Sequence, residues 1–156
     1  MLIPERLRRF LDTNRIEHTI LEHPESFSAQ EMAHATHTHG RDVAKVVIVR
    51  DGVTYHMVLV AADCRLDIES LGAELGLENP KLASEEEIAD LFPDCELGAM
   101  PIFGNLYGLP VAIDQRLLPE EYIAFDAGNH HQAIRVHTTD FMRLVNPRIV
   151  GAGEHL

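Results

Sequence analysis

The sequence predicts a single domain of the mixed α/β (α+β) class, built from a mixed sheet and several helices. Its length of 156 residues suits one domain with a core of its own. The expected order of elements is helix, strand, helix, hairpin, two helices, a cluster of strands and a last helix. The hairpin requires at least one antiparallel strand pair. Because regular alternation of strand and helix is missing, a doubly wound nucleotide-binding fold is not expected.

The first two elements are visible in the spacing of apolar residues. Leu7, Phe10 and Leu11 lie at helical spacing and predict a helix over residues 4–14. Residues 18–23, "HTILEH", alternate between polar and apolar side chains, which is typical of a short strand.

Three further helices carry capping signals at their N-termini. We expect them over residues 28–36, 67–75 and 84–92. In each, a short polar side chain precedes the helical pattern and can accept a hydrogen bond from a free backbone N–H group. The capping residues are Ser28 with Glu31, Asp67, and Ser84 with Glu87, and both Ser–Glu pairs have the capping-box spacing.

The remaining elements are mainly extended. The runs "VAKVVIVR" (43–50) and "TYHMVLVAA" (54–62) are rich in β-formers and are separated by "DGV", a hairpin signal. Further strands are expected at 110–114, 121–126 and 133–137, followed by a helix at 139–145. We expect the domain to span residues 1–147 and residues 148–156 to form a flexible C-terminal tail.

Composition and charge limit the class of protein. The net charge of −12, with histidines neutral, argues against a protein that coats nucleic acid, which needs lysine and arginine to displace counterions. The same charge is compatible with a small pocket that binds only the terminal nucleotides of a nucleic acid, because two or three polar or charged groups suffice for that. No apolar run approaches the about 18–20 residues of a membrane span, and the N-terminus lacks the apolar segment of a signal peptide. Cys64 and Cys95 form neither a C-x-x-C pair nor a disulfide framework, so we expect a cytoplasmic protein without a membrane partner.

Several catalytic motifs are missing from the sequence. It contains no G-x-S-x-G elbow, no P-loop, no G-x-G-x-x-G after a strand and no H-E-x-x-H. Neither cysteine has sequence neighbours that would activate a thiolate. The ten histidines leave a metal-dependent hydrolase open, but for His34, His37 and His39 exposed side chains near a turn are the preferred interpretation, so we expect no metal and no cofactor. A functional imidazole is more plausible at His130 and His131, which follow Gly128 in a loop between two strands. The histidine clusters are His34, His37 and His39, and His130, His131 and His137.

Lys45 interrupts an otherwise apolar strand. Two-residue alternation places it on the same face as Val43, Val47 and Val49. One interpretation is that it lies near the strand end, with its stem packed and its ammonium in water. The other is a buried ammonium that requires an anion or hydrogen-bond acceptors, because burying an ion is otherwise costly. The pattern alone leaves both open.

The segment "CELGAMPIFGNLYGLP" (95–110) also stands out. It combines three glycines and two prolines with many apolar side chains, which a flexible polar linker would not carry. It is either a folded loop whose backbone is closely approached by a ligand, or a packed Ω-type loop without a function of its own.

Four stretches in order resemble a known family: "EHPESFSAQEMA", "GRDVAKVVIVRDG", "CELGAMPIFGNLYGLPV" and "FDAGNHHQAIRVHTTDFMRLV". Over residues 17–145 the chain resembles the YbaK / prolyl-tRNA-synthetase-associated (INS-like) family of aminoacyl-tRNA editing domains. The resemblance implies a mixed, partly closed β-barrel-like sheet surrounded by helices. It also implies a trans-acting aminoacyl-tRNA deacylase, which hydrolyses the ester of a mischarged tRNA.

The same resemblance implies site residues. Lys45 matches the characteristic lysine of the family and is expected to be catalytic, together with Gly98 and Ala99. The expected substrate-binding residues are Met100, Pro101, Ile102, Phe103, Gly104, Gly128 and His130. Our hypothesis is that Lys45 binds the phosphate or ribose of the terminal adenosine and that loop N–H groups stabilise the oxyanion. A positioned water or ribose hydroxyl would then attack the ester.

One position departs from the family pattern. Many relatives carry a Gly-x-x-x-Pro element, whereas here Ile102 stands four residues after Gly98, and proline comes one place earlier, at Pro101. This keeps open an alternative, a non-catalytic module of the same fold that binds a nucleotide or the end of an aminoacyl-tRNA. The expected partner is the aminoacylated acceptor end of a tRNA, with an aminoacyl-tRNA synthetase as a further candidate.

Overall fold

The computed structural model describes residues 1–156 and contains five helices and ten strands, together with short 3-10 turns. The helices are α1 (Glu5–Thr13), α2 (Ala29–Ala35), α3 (Ile68–Leu75), α4 (Glu85–Leu91) and α5 (Thr138–Val145). The strands are β1 (His18–Glu22), β2 (Ala44–Asp51), β3 (Thr54–Ala61), β4 (Cys64–Leu66), β5 (Lys81–Leu82), β6 (Val111–Asp114), β7 (Tyr122–Asp126), β8 (Gln132–His137), β9 (Arg148–Val150) and β10 (Gly153–His155).

The strands form a mixed five-stranded sheet, an antiparallel three-stranded sheet and a separate strand pair. Their orders are β5-β2-β3-β6-β9, β1-β8-β7 and β10-β4. One isolated parallel bridge, between Val43 and Ala124, connects the two larger sheets. The predicted mixed α/β class is confirmed. The pairings show no closed barrel, and the partly closed, barrel-like arrangement that the resemblance implies stays a prediction.

The hairpin is the best-defined part of the larger sheet. β2 pairs with β3 over eight positions, from Ala44 opposite Ala61 to Asp51 opposite Thr54. The connection consists of two residues, and the first of them, Gly52, has a φ of 62°, which glycine adopts without strain.

The predicted caps are present at three helices. Ser84 and Glu87 form a complete capping box at the start of α4. Ser28 accepts a hydrogen bond from Glu31 N–H, although the Glu31 side chain accepts from Phe27 N–H and not from Ser28. Asp67 accepts from Ser70 N–H at the start of α3. Local side-chain chemistry therefore defines these helix starts.

The alternation along β2 divides its side chains between two environments. Ala44 and Ile48 face the main core, which lies between the two larger sheets and includes Phe103. The opposite face is covered by helices, with Val49 packed near Leu71 of α3. Lys45 lies on this second, helix-covered side of the sheet.

The C-terminal segment differs from the expected flexible tail. β9 pairs in parallel with β6, and β10 pairs antiparallel with β4. Gly153 N–H donates to Asp114 Oδ1 over 3.0 Å, and a Cβ atom at Gly153 would lie 2.6 Å from Asp114 Oδ2. Strands of three residues are too short to produce a periodic pattern, so their pairing depends on edges that only the folded sheet provides.

Helix length and hydropathy were also compared with the requirements of a bilayer. None of the five helices is both long enough and apolar enough to cross a membrane.

Candidate functional site

Two glycine-containing loops lie against each other at one end of the molecule. The first follows α4 and contains Gly98 and Ala99; the second is the β7–β8 hairpin tip, which contains Gly128. Gly128 N–H donates to Ala99 O over 2.8 Å, and Glu96 N–H donates to Gly128 O over 2.8 Å. Gly128 has a φ of 90°, and a Cβ atom there would lie 2.5 Å from Pro4 Cδ. Only glycine therefore allows the two loops and the start of α1 to come this close.

His130 belongs to the hairpin tip and is hydrogen-bonded to the first loop. Its Nε2 is 2.8 Å from Leu97 O, and because a carbonyl oxygen only accepts, Nε2 carries the proton. The Cε1 atom of the ring lies 3.6 Å from the position that a Cβ atom would take at Gly98. The Phe27 ring covers the imidazole, with ring centroids 4.8 Å apart. The structure thus joins three predicted site residues, Gly98, Gly128 and His130.

The backbone N–H groups of the first loop differ in their availability. Gly98 is exposed, has a φ of 85°, and its N–H group donates to no acceptor of the protein. The Met100 N–H group also lacks a protein acceptor. The Ala99 N–H group, in contrast, donates to Glu96 O over 3.1 Å. Of these three residues, only Gly98 is exposed and also has a free N–H group, so it is the candidate oxyanion donor, and a catalytic part for Ala99 stays a prediction.

The rest of this loop enters the main core. Pro101, Ile102, Phe103 and Gly104 are all buried. The Phe103 ring packs against three aromatic rings at centroid distances between 5.2 and 5.7 Å. Substrate contact by this part of the loop is untested and stays a prediction; in the structure these side chains hold the loop in place.

Lys45 forms no hydrogen bond with either of the two loops. Its ammonium donates to Cys64 O over 2.6 Å, and this is its one hydrogen bond in the structure. No carboxylate pairs with it, and burial lowers its pKa. Both interpretations of the sequence hold in part, because the side chain is half-buried and a carbonyl oxygen accepts from its ammonium. The ammonium therefore retains unfilled capacity for an anion.

The bridge between the two larger sheets is the link that the structure shows between the strand of Lys45 and the strand of Asp126. Val43 and Ala124 form this bridge, and both pack with residues of α2. By strand alternation, Lys45 lies on the face of its strand that Val43 occupies, and Asp126 lies on the face that Ala124 occupies. Lys45 and Asp126 form no hydrogen bond with each other.

Asp126 was missed by the sequence analysis. Its Oδ1 is enclosed and has no hydrogen-bond partner, and burial raises the pKa of the carboxyl to about 7, with His130 nearby acting in the opposite direction. The available signal was a carboxylate at the end of an apolar strand, directly before "AGNH". A pKa near neutrality beside an imidazole is common at functional sites.

Two more polar atoms near the hairpin tip are buried without partners. His23 Nε2 and Ser26 Oγ both lack a hydrogen bond. Their segment is attached to the tip, because His23 N–H donates to His131 O and Ser26 N–H donates to His130 O, over 3.0 and 2.9 Å. Unsatisfied polar groups are rare in a packed structure and mark this region as unusual.

The cysteine and metal alternatives gain no geometric support. Burial raises the pKa of both thiols, that of Cys95 to about 11, so both stay protonated at neutral pH. No three histidine, cysteine or carboxylate side chains come together in a way that would hold a metal ion. The histidine clusters of the sequence are therefore not gathered into one site.

The chain is similar in sequence to proteins that act on aminoacyl-tRNA. Residues 23–144 match the family model described as "Aminoacyl-tRNA editing domain". Over 102 residues the chain is 31% identical to the multifunctional Ser/Thr-tRNA deacylase ProXp-y of Escherichia coli (strain K12). That alignment covers 64% of this chain and 60% of the relative, so it spans less than two thirds of either.

Solved structures with the same fold are more distant in sequence. A hypothetical protein superposes with a TM-score of 0.87 at 17% identity, over 96% of this chain and 100% of its own. A proposed trans-editing enzyme for prolyl tRNA synthetase superposes with a TM-score of 0.82 at 21% identity, over 98% and 99% of the two chains. At these identities the likeness concerns the fold alone.

Proposed function

Because the chain belongs to the aminoacyl-tRNA editing domain family, we propose that it is a trans-acting aminoacyl-tRNA deacylase. Its substrate is a tRNA that carries a wrong amino acid, and the bond it breaks is the ester to the 3′-terminal adenosine. The family match and the name of the Escherichia coli relative support this proposal. Serine and threonine esters are therefore the first substrates to test.

The observation that carries the proposal is the free N–H group of Gly98 beside His130. Attack on an ester carbonyl places negative charge on its oxygen, and backbone N–H groups that already point at that oxygen stabilise it. Gly98 is an exposed residue, and its N–H group has no acceptor in the protein. The hydrogen bonds between Ala99, Glu96 and Gly128 hold this loop in position, so little reorganisation is needed during the reaction.

The attacking group need not be a protein side chain. An aminoacyl ester is activated, and its ribose carries a hydroxyl next to the ester oxygen. A water molecule held in line with the carbonyl carbon supplies the nucleophile: its oxygen bonds to that carbon, the bond from the carbon to the ribose oxygen breaks, and the ribose oxygen leaves with the proton that the water gives up. The neighbouring hydroxyl can orient this water by a hydrogen bond. This is consistent with the two protonated thiols, which are unsuited to the task.

Lys45 has the role of binding the terminal phosphate or ribose in this proposal. Its ammonium is partly desolvated and has only Cys64 O as a partner, so an incoming anion gains a strong, charge-assisted contact. The net charge of −12 is unsuited to binding a long stretch of phosphate backbone. It is compatible with a single lysine contact, because the protein then binds only the acceptor end of the tRNA. An aminoacyl-tRNA synthetase is the partner that would supply further affinity for the tRNA.

The test is hydrolysis of a panel of mischarged tRNAs, with seryl and threonyl esters first, by wild-type protein and lysine variants. The chain has two lysines, so exposed Lys81 provides a matched control for Lys45. We expect Lys45→Ala to lose about 100-fold or more in kcat/KM and Lys81→Ala to lose less than about twofold. Wild-type protein that binds aminoacyl-tRNA but cleaves no ester faster than buffer would instead indicate the non-catalytic module.

A further inference from the structure

The carboxylate of Asp126 has no positively charged partner in the structure. Its Oδ1 is enclosed without a hydrogen bond, and neither of its oxygens accepts from any donor of the protein. The residue as a whole is only partly buried, so the carboxylate extends from the interior to an accessible surface. Burial raises its pKa to about 7, and the opposing effect of nearby His130 is smaller.

Three side chains that could neutralise Asp126 have other partners. Arg135 on the adjacent strand β8 lies opposite Ala124, and its guanidinium carbon is 4.7 Å from the centre of the Tyr122 ring. Its buried Nε makes no hydrogen bond, either to Asp126 or to another acceptor. Lys45 donates to Cys64 O, and His130 donates from Nε2 to Leu97 O. None of these three side chains therefore forms a hydrogen bond with the Asp126 carboxylate.

The position of Asp126 relates it directly to the expected reaction centre. It is the last residue of β7 and is followed by Ala127 and Gly128, and Gly128 N–H donates to Ala99 O. Asp126 therefore precedes the hairpin tip, and this tip is hydrogen-bonded to the loop that contains the free Gly98 N–H group. In an aminoacyl ester, the α-ammonium group is attached to the carbon next to the carbonyl. A group that binds this ammonium must lie close to the oxyanion donors.

We propose that Asp126 binds the α-ammonium group of the aminoacyl ester and selects substrates with a free amino group. The inference rests on the proposed deacylase function and adds a recognition residue to the same site. A carboxylate that has lost part of its hydration gains strongly from a cation that arrives with the substrate. The same contact would orient the carbonyl towards Gly98, since the ammonium and the carbonyl are two bonds apart.

Binding of stable substrate analogues tests this proposal separately from catalysis. The probes are two matched pairs of amides of 3′-amino-3′-deoxyadenosine, seryl with 3-hydroxypropionyl and alanyl with propionyl. Within each pair, the second compound has a hydrogen atom in place of the α-amino group, so it is no larger than the first. Calorimetry would measure the dissociation constants for wild-type protein, for Asp126→Asn and for Glu121→Gln. The last variant changes an exposed carboxylate just before the same hairpin and is the matched control.

We expect wild-type protein and Glu121→Gln to bind the amino compounds about tenfold or more tightly than their partners without the amine. Asp126→Asn should reduce this preference to about twofold or less. Equal binding within both pairs by wild-type protein, or no binding of either amino compound, overturns the proposal even if Asp126→Asn fails to fold. The proposal is also overturned if folded Asp126→Asn keeps the full wild-type preference for the amino compounds.

The two proposals fail in different experiments. Amine preference that depends on Asp126, without cleavage of any ester, would refute the deacylase and leave the recognition role standing. Ester cleavage by Asp126→Asn at the wild-type rate, with the amine preference unchanged, would refute the recognition role and leave the deacylase standing.

Discussion

The unpartnered carboxyl of Asp126 leads to a measurable effect on stability. Asp126→Asn replaces a carboxyl that ionises near neutral pH by an amide of almost the same shape that never ionises. Burial raises the pKa from 3.8 to about 7 in the folded protein, because the enclosed Oδ1 accepts no hydrogen bond from the protein that would stabilise its charge. In the unfolded chain the group returns to its ordinary pKa. Folding therefore favours the protonated form.

The sign of the effect follows from proton binding. Between pH 4 and pH 7 the folded protein binds more protons at this site than the unfolded chain, so the free energy of unfolding falls as the pH rises. Each pKa unit is worth about 1.4 kcal/mol, so the rise from 3.8 to about 7 corresponds to about 4 kcal/mol at full effect. Partial exposure of the residue reduces this, and we expect about 2–4 kcal/mol.

The assay is urea unfolding, followed by circular dichroism between pH 4.5 and pH 8, for wild-type protein, Asp126→Asn and Glu121→Gln. Other groups titrate alike in all three proteins, so differences at each pH isolate the substituted site. Asp126→Asn should become more stable relative to wild type by about 2–4 kcal/mol as the pH rises through this range. A difference that stays constant within about 0.5 kcal/mol would refute the reasoning, because the carboxyl would then ionise alike in both states.

Three further substitutions test the scaffold of the site. Ser84→Ala removes one half of the capping box and should lower the unfolding free energy by about 1 kcal/mol in urea titrations, with full activity per folded molecule. Phe103→Ala should cost about 3–5 kcal/mol in the same titrations, and a loss below 1 kcal/mol would contradict its assignment to the core. Gly128→Ala should lower both Tm and ester hydrolysis, since the new Cβ would meet Pro4; an unchanged Tm would refute this close approach.

Much of the fold was predictable because its signals are local. The helix starts at Ser28, Asp67 and Ser84 depend on hydrogen bonds that span three residues, and the hairpin depends on a two-residue turn at Gly52. Such interactions form between neighbours in the chain and leave patterns that can be recognised without coordinates. The strands β9 and β10 lack such a pattern, because their stability comes from pairing with β6 and β4.

The candidate site was predictable only in part. The glycines at positions 98 and 128 and the histidine at 130 drew attention by composition and resemblance, and the structure brings them together. The sequence did not indicate that the Ala99 N–H group is already bonded, or that Ile102 and Phe103 lie in the core. These facts depend on contacts between segments far apart in the chain.

The amino-acid sequence by itself determined the element order, the helix starts, the hairpin and the face of β2 on which Lys45 lies. These features follow from spacing along a single segment, which is a property of the chain before it folds. Only the tertiary structure decided the partner of that lysine, the closeness of the two glycine loops and the isolation of the Asp126 carboxylate. Desolvation and hydrogen bonding are set by whichever distant segments cover a group, and no local pattern records which segments those are.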